Sequence, residues 1–311
     1  MPIWPECNLN CVFCSNPVEG YRKTTSRYTF ERFRKKWELY QKGKESFLKF
    51  NAVDDFASMT GGEPTLNPDF LKILALVRKT WPKKPVKLLT NARMMRYPAF
   101  AEKTLRLGGD FFEIKIPFFG PDEKSYNSIA RTPGAFADAC AGIENLLSLR
   151  RPGQTVTIRI ILHKLQLKWL EGLLDFLPEK FRGIDGVELL FVEYEGHARQ
   201  NFKALKLSLS DCGKKLGKLE PKLRGLPEFK LLHFPLCVLP KKLWPNAWRT
   251  LDPIKVVFPT GCSGCAAKKI CVGVHKSYAE CVGTEEFKPV KSLRGIVLSG
   301  NRYRPVESIK I

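Results

Sequence analysis

The stretch Cys7-Asn8-Leu9-Asn10-Cys11-Val12-Phe13-Cys14 follows a short apolar segment at the start of the chain and has the spacing CX3CX2C. Three thiolates on one short loop can bind three irons of a 4Fe-4S cubane, which leaves the fourth iron without a protein ligand. Structural zinc sites prefer four ligands and commonly use pairs of cysteines, so zinc is the weaker interpretation of this spacing. The stretch therefore predicts an iron-sulfur cluster with one open coordination site.

Apolar segments alternate with helical patterns from residue 53 to about residue 193. The predicted strands are Val53–Thr60, Val86–Thr90, Phe111–Pro117, Thr155–Leu162 and Val187–Glu193. This alternation is typical of repeated βα units around a parallel sheet. With a short first strand before Cys7 it gives about six units, too few for a closed eight-stranded barrel. We therefore expect an α/β fold: a partial (β/α)6 barrel over residues 1–200, with a small Cys-rich C-terminal extension.

The segment Met59-Thr60-Gly61-Gly62-Glu63-Pro64 lies where the second strand should end. Two glycines let the backbone turn sharply and approach a ligand, and a glutamate can accept a hydrogen bond from an ammonium group. Together with the cysteine triple, this segment resembles the radical S-adenosylmethionine (SAM) superfamily. The resemblance implies that Cys7, Cys11 and Cys14 hold a SAM-binding 4Fe-4S cluster. It also implies that Gly61, Gly62, Glu63 and Pro64 contact the amino group of SAM.

Weaker matches to the same superfamily follow along the chain. Thr90-Asn91 ends the third predicted strand where these enzymes often carry Thr-Asn-Gly, although Ala92 replaces the glycine here. The stretch Ile116-Pro117-Phe118-Phe119-Gly120 resembles the region that flanks the SAM ribose. The resemblance thus implies Asn91 and Pro117 as further cofactor-binding residues.

Several polar residues near predicted strand ends are candidates for lining the substrate cavity. These are Lys115, Arg159, His163, Glu193 and Tyr194. Each has an alternative role in a structural hydrogen bond or salt bridge, and the sequence assigns no catalytic residue. We interpret His197 and His233 as structural residues.

A second group of cysteines lies in a Pro- and Gly-bearing region, residues 233–311, with little aliphatic material for a core of its own. Its members are Cys237, Cys262, Cys265, Cys271 and Cys281. Small units of this kind usually depend on a metal site for stability. Residues 201–232 before it read as a basic helical linker.

The spacing CX2CX5C of Cys262, Cys265 and Cys271 resembles that of the SPASM and twitch extensions of radical SAM enzymes. It departs from full SPASM because His275 stands where a further cysteine is expected. The resemblance implies one auxiliary 4Fe-4S cluster on these three cysteines and Cys237, with Cys281 as the substitute for Cys237. A four-cysteine zinc site is the alternative, because thiolate ligands alone do not distinguish iron from zinc.

A closer likeness concerns the substrate. The run Cys237–Pro245, Lys255 and the stretch Glu195–Asn201 look like radical SAM maturases of ribosomal peptides, particularly those of His-Xaa-Ser systems. The resemblance implies a peptide- or protein-modifying oxidoreductase. Because the cluster motif begins at residue 7, we expect no leader-binding domain of the winged-helix kind before it. We expect peptide recognition to come from the C-terminal part or from a separate protein.

Charge and composition constrain partners and location. The 311 residues include 52 Lys and Arg against 31 Asp and Glu, a net charge of +21. Such a charge favours an acidic partner, for example an electron donor such as flavodoxin or ferredoxin, or RNA. A radical SAM enzyme acting on RNA is therefore an alternative function, and a non-enzymatic zinc protein that binds nucleic acid is a third. The glycine-glycine-glutamate segment and the βα pattern count against the third.

The chain carries neither a secretory signal nor an apolar run of the roughly 18 to 20 residues that span a bilayer. We expect a cytoplasmic protein without membrane contact. Reducing conditions there favour metal binding over disulfides for its closely spaced cysteines. Cys140 and Cys212 lie in helical patterns and read as ordinary structural residues.

Overall fold

A computed structural model describes residues 1–16, 21–44 and 56–310 of the chain, without the side chains of residues 21–23. Its main feature is one sheet of eight strands that follow one another in chain order. The strands are β1 (Pro2–Trp4), β2 (Ala57–Gly61), β3 (Val86–Leu89), β4 (Phe112–Pro117), β5 (Gln154–Leu162), β6 (Gly186–Phe191), β7 (Phe229–Leu232) and β8 (Ala247–Trp248). Every neighbouring pair is parallel. All eight carboxyl ends therefore lie at one edge of the sheet.

Helices connect these strands. They are α1 (Phe30–Gln41), α2 (Phe70–Thr80), α3 (Pro98–Gly108), α4 (Glu123–Ala130), α5 (Ala135–Leu149), α6 (Lys164–Lys180), α7 (Gly196–Gln200), α8 (Phe202–Leu205), α9 (Leu209–Lys218) and α10 (Glu220–Arg224). No described helix is both long and apolar enough to cross a membrane.

Strand β5 shows how the sequence builds the two faces of the sheet. Val156, Ile158 and Ile160 are fully buried, whereas the residues between them are half-buried. Because side chains alternate across a strand, the first set belongs to the core and the second set faces the other side. Arg159 and Ile161, from that second set, line a cavity inside the curved sheet.

The predicted partial barrel, open on one side, is confirmed. Strands β1 and β8 form the two edges of the sheet. The sheet has eight strands rather than six, because β7 and β8 continue it beyond the predicted units. Strand β7 lies within the segment 201–232 that reads as a basic helical linker; it is only four residues long and follows Lys-rich helices. Of the first long predicted strand, residues 53–55 lie outside the described residues.

The Cys-rich region has short elements. They are β9 (Val256–Val257), β10 (Val274–His275), α11 (Lys276–Cys281), β11 (Ile296–Leu298) and β12 (Val306–Ile309). Tyr278 of α11 is buried, and its hydroxyl accepts a hydrogen bond from the Leu209 backbone at 2.9 Å. The region thus packs on the helices that follow β6. Its division into a separate unit stays a prediction.

Candidate active site

The loop that carries the first three cysteines leaves β1 and is held by backbone contacts to the C-terminal end of α4. The amide of Asn10 donates to the Ala130 carbonyl at 3.1 Å, and that of Val12 donates to the Ile129 carbonyl at 3.0 Å. Arg131, which has a left-handed backbone, donates from Nε to the Asn10 carbonyl at 2.8 Å. The loop conformation is therefore set by the barrel itself.

Cys7, Cys11 and Cys14 line one cavity of about 310 Å³ at the carboxyl edge of the sheet. The Leu9 amide donates to the Cys7 sulfur at 3.4 Å. Burial raises the pKa of Cys7 to about 12, with a further contribution from the Glu63 charge. Burial also holds the pKa of Cys11 well above its usual range. Since metals bind thiolates, a metal at this site has to displace protons from these thiols.

Gly61 and Gly62 are required by close contact between the end of β2 and the segment after β1. A Cβ on Gly61, whose φ is +138°, would lie 2.2 Å from the Trp4 carbonyl oxygen. A Cβ on Gly62 would lie 2.1 Å from the Glu6 carbonyl oxygen. The Gly62 amide donates to Trp4 at 2.8 Å. The two glycines thus let β2 bind the base of the cysteine loop, a role beyond the ligand approach that the sequence indicates.

The buried carboxylate of Glu63 joins the ends of β2 and β3. Its Oε1 accepts hydrogen bonds from the Thr65 amide at 3.1 Å, the Thr65 hydroxyl at 2.6 Å and the Thr90 hydroxyl at 2.7 Å. Its Oε2 accepts from the Asn91 amide at 2.7 Å. Burial raises the pKa of Glu63, and these donors act in the opposite direction. Pro64 begins the short 3-10 helix that follows.

Asn91 lies between β3 and the cysteine loop. Its side-chain amide donates to Asn8 Oδ1 at 2.7 Å and lies 3.8 Å from the Cys7 sulfur. Ala92 next to it has φ +61°, the left-handed conformation that a glycine adopts more easily. Pro117, at the end of β4, lies on the cavity wall with Asn91. The structure therefore brings the cysteine triple, Gly61–Glu63, Asn91 and Pro117 to the same cavity.

Three charged residues complete the cavity wall: Lys115 of β4, Arg159 of β5 and Glu193, two residues after β6. Beneath them Glu188 of β6 is almost fully buried; it forms ion pairs with Lys115 and with Arg159, whose Nε lies 2.8 Å from Glu188 Oε2. Although burial acts to raise it, Arg159 and Lys115 hold the pKa of Glu188 below its usual range. Sequence reasoning missed Glu188; its only signal is a carboxylate inside an otherwise apolar strand.

The other two strand-end candidates serve the fold. His163 is fully buried and caps α6 by accepting a hydrogen bond from the Gln166 amide at 3.3 Å. Burial lowers its pKa to about 3. The Tyr194 hydroxyl contacts the backbone of Leu207. His197 supports the cysteine loop, because its amide donates to the Cys14 carbonyl at 2.8 Å and its Nδ1 lies 3.2 Å from the Cys11 carbonyl.

The second cysteine group also converges. Cys237, Cys262, Cys265 and Cys271 line one small enclosed cavity in the Cys-rich region. Backbone amides donate to its sulfurs: Leu236 and Gly273 to Cys271 at 3.5 and 3.4 Å, and Val290 to Cys265 at 3.3 Å. Burial and the neighbouring Cys271 raise the pKa of Cys237 to about 12. Cys281, at the end of α11, is not among the described residues that line this cavity.

Comparison with known proteins assigns the family. The family model described as the radical SAM superfamily matches residues 1–177, more than half of the chain. This chain belongs to the radical SAM superfamily. Membership implies a 4Fe-4S cluster and SAM as its cofactors. The three cysteine thiols beside a cavity of about 310 Å³ fit the cluster's need for three thiolates.

Two curated relatives show how far sequence similarity reaches. The chain is 28% identical over 147 residues to GTP 3',8-cyclase of Petrotoga mobilis. This match covers 47% of this chain and 42% of that protein. It is 25% identical over 201 residues to PqqA peptide cyclase of Gluconobacter oxydans, covering 64% of this chain and 50% of that protein. The chain thus spans about half the length of these curated relatives.

Two solved structures share the fold. A structure titled native anSMEcpe with bound AdoMet and Kp18Cys peptide has a TM-score of 0.52 at 17% identity, covering 92% of this chain and 80% of that chain. HydG, described as a maturase of the [FeFe]-hydrogenase, has a TM-score of 0.51 at 12% identity, covering 74% of this chain and 50% of that one. At such identities the likeness concerns the fold alone.

Proposed function

We propose that this chain is a radical SAM enzyme that reductively cleaves SAM to a 5'-deoxyadenosyl radical and abstracts hydrogen from a ribosomally made peptide or protein. The observation that carries the proposal is the single cavity that joins the CX3CX2C thiols, the Gly61–Glu63 turn and a charged wall. The bound cofactors supply the radical chemistry, and the protein orients the substrate and excludes water. Similarity to PqqA peptide cyclase over 64% of the chain supports the peptide substrate.

The contacts of Glu63 refine the proposed SAM site. Four protein donors already contact the Glu63 carboxylate, three at Oε1 and one at Oε2, so at most one lone-pair position of Oε2 stays open. We therefore propose that the backbone oxygens of Gly61 and Gly62 are the main acceptors for the SAM amino group. Glu63 then acts as a positioning residue for the turn and for Asn91. Asn91 and Pro117 remain the proposed contacts on the neighbouring strands.

We propose that the second cavity holds one auxiliary 4Fe-4S cluster on Cys237, Cys262, Cys265 and Cys271. The convergence of these four thiols, with amide donors on two of them, supports this ligand set. Hydrogen bonds to cluster sulfurs are one of the means by which proteins adjust cluster potentials. Cys281 is a reserve ligand only if Cys237 fails in this role. A four-cysteine zinc site is the competing assignment.

Anaerobic reconstitution with iron and sulfide tests both sites. Wild-type protein should bind about eight irons and form 5'-deoxyadenosine after dithionite reduction, whereas the Cys7→Ala, Cys11→Ala, Cys14→Ala triple variant should retain about four and form none. Cys140→Ala, a buried cysteine outside both cavities, is the matched control and should behave as wild type. About four irons plus one zinc in wild type would assign zinc to the second site. Zinc alone without SAM cleavage would refute the proposed function.

Hydrogen transfer identifies the substrate class. A short peptide encoded beside the gene, deuterated at its side chains, should transfer deuterium to 5'-deoxyadenosine, as detected by mass spectrometry. The same assay with RNA as substrate should give no transfer. Transfer or modification seen only with RNA would replace the peptide by RNA, the alternative that the charge of +21 motivates.

The same charge supports an acidic electron donor such as flavodoxin or ferredoxin. Salt screens the attraction between exposed charges, so the rate of reduction by flavodoxin should fall severalfold between about 0.05 and 0.5 M NaCl. Reduction by dithionite, a small reagent, provides the comparison and should fall much less. An equal response to salt with both reductants would argue against electrostatic docking.

A further inference from the structure

Glu193 lies on the cavity wall where the Cys-rich region meets the barrel. Its Oε2 lies 3.0 Å from Lys255 Nζ, which also lies 3.1 Å from Glu195 Oε2. His275 Nε2 is 3.5 Å from the same Glu193 oxygen. Because His275 Nδ1 accepts from the Ser277 amide at 3.1 Å, Nε2 carries the proton in the neutral ring, although within the described residues it makes no hydrogen bond. Lys255 is therefore the protein donor to this oxygen of Glu193.

The other oxygen faces a second acceptor instead. Glu193 Oε1 lies 3.8 Å from Nδ1 of His233, a buried side chain just after β7. Within the described ranges, no hydrogen bond reaches His233 Nδ1. Burial lowers the pKa of His233 to about 4, against the effects of Glu193 and of a hydrogen bond with the Phe191 backbone. We assign the proton of the neutral ring to Nε2, which leaves Nδ1 as an acceptor facing Glu193.

Backbone strain marks the same place. His233 has φ +69°, a left-handed conformation that non-glycine residues adopt at an energetic cost. Such conformations persist where surrounding contacts enforce them, and they cluster at ligand-binding positions. The strained backbone holds the imidazole against Glu193, so two acceptors face each other without a donor among the described residues.

The charges around Glu193 indicate which kind of donor would fit between Glu193 and His233. Glu193 and Glu195 carry two negative charges against the one positive charge of Lys255. Lys115 and Arg159 on the same cavity wall form ion pairs with Glu188. Burial acts to raise the pKa of Glu193, but His275, His233 and Lys255 together lower it to about 2. A carboxylate that stays ionised at such low pH is a poor proton acceptor near neutrality. It is suited to pair with a cation.

We propose that Glu193 Oε1 and His233 Nδ1 form a subsite for a cationic N–H donor of the substrate, an ammonium or guanidinium group on a lysine or arginine side chain. The assignment rests on the proposed function, in which a peptide enters this cavity. Lys255 and His275 are positioning residues that fix the Glu193 carboxylate from its other side.

Calorimetric titration of the reconstituted, SAM-bound protein tests the subsite without turnover. The probes are n-butylammonium chloride, n-butylguanidinium chloride and the neutral n-butanol. We expect at least one cation to bind about tenfold more tightly than n-butanol, because hydrogen bonds to charged groups are the stronger ones. The two cationic probes distinguish a lysine subsite from an arginine subsite.

Two variants locate the binding. Glu193→Gln should reduce cation affinity about tenfold, to the level of n-butanol. Glu195→Gln is the matched control: it removes the same charge two residues further along the chain and should reduce cation affinity less than about threefold. His233→Phe is a second test if Glu193→Gln does not fold, and it should also lose the preference for cations. Circular dichroism checks folding of each variant.

The proposal is overturned if cations and n-butanol bind equally, or if both Glu193→Gln and His233→Phe keep the preference. Binding of cations only in the absence of SAM would assign the site to SAM itself and overturn it as well. These outcomes are independent of SAM cleavage, so they are distinguishable from failure of the proposed function, which appears as absence of 5'-deoxyadenosine.

Discussion

The two cysteine cavities are built in opposite ways. The first lies on a loop that the barrel holds through backbone contacts, such as Gly62 to Trp4 at 2.8 Å and Asn10 to Ala130 at 3.1 Å. The second lies among elements as short as β9 and β10, two residues each, and its sulfurs receive hydrogen bonds from the surrounding backbone. We therefore expect the first cavity to depend on the fold, and the metal proposed for the second to contribute to it.

Because of this difference, we expect loss of the metal at the first site to affect activity, and loss of the metal at the second site to affect stability. A site held by a large core can lose its metal without unfolding, and the cost appears in activity. Around the second cavity, where the elements are short, the binding free energy of the proposed metal would also be folding free energy. Variants at the two sites should thus affect different observables.

The largest expected effect comes from removing ligands at each site. The Cys7→Ala, Cys11→Ala, Cys14→Ala variant should lose SAM cleavage entirely while its thermal midpoint stays within about 3 °C of wild type. The Cys262→Ala, Cys265→Ala variant should be cut by trypsin in the region 233–311 at least about tenfold faster than wild type, because that region loses the metal proposed for it.

Limited proteolysis with mass spectrometry, beside calorimetric melting, measures both effects. Cys212→Ala, a buried cysteine of α9 outside both cavities, controls for loss of a cysteine side chain as such. Similar proteolysis of the two ligand variants would contradict the proposed division between a fold-dependent site and a fold-forming site.

Replacing one glycine at each site by alanine should have a smaller effect on stability that still distinguishes the two sites. Alanine at Gly62 would place Cβ 2.1 Å from the Glu6 backbone oxygen, a clash that neither backbone can relieve cheaply, so we expect a loss of about 3 kcal/mol or more. Gly264, between two cysteines of the second site, has φ +69° and open space around it. Gly264→Ala should cost only about 1 kcal/mol. Urea unfolding measures both; equal losses would show that close packing at the cysteine loop is not what Gly62 provides.

The same contrast explains what sequence reasoning reached. Alternating apolar residues predict the longer barrel strands. One example is Thr155–Leu162, which the structure places in β5 at Gln154–Leu162. Strand β7 was missed because four residues, Phe229–Leu232, give too short a pattern among lysine-rich helices. Short strands are specified by the sheet edge that they join rather than by their own sequence.

The site was predictable to the extent that its chemistry lies in local motifs. The cysteine triple and Gly61–Glu63 are contiguous stretches, and the structure brings them together. The contacts of Glu193 with His233, His275 and Lys255 join four separate segments. No spacing in the sequence indicates such a cluster, because only the tertiary fold brings its members within reach.

A buried histidine of the barrel should make the stability of the fold depend on pH. His163 lies in the barrel, and burial lowers its pKa from 6.5 to about 3. Above pH 6.5 the ring is neutral in both the folded and the unfolded state, so it has no effect on stability. Between pH 6.5 and about 3 only the unfolded state takes up the proton, so stability falls as the pH falls, by about 3 kcal/mol at pH 4.

His163→Asn keeps an acceptor for the Gln166 amide at the start of α6 and removes this titration. Its urea unfolding free energy should therefore decline less than that of wild type between pH 7 and pH 4, and parallel declines would show that the ring is protonated without cost in the folded barrel.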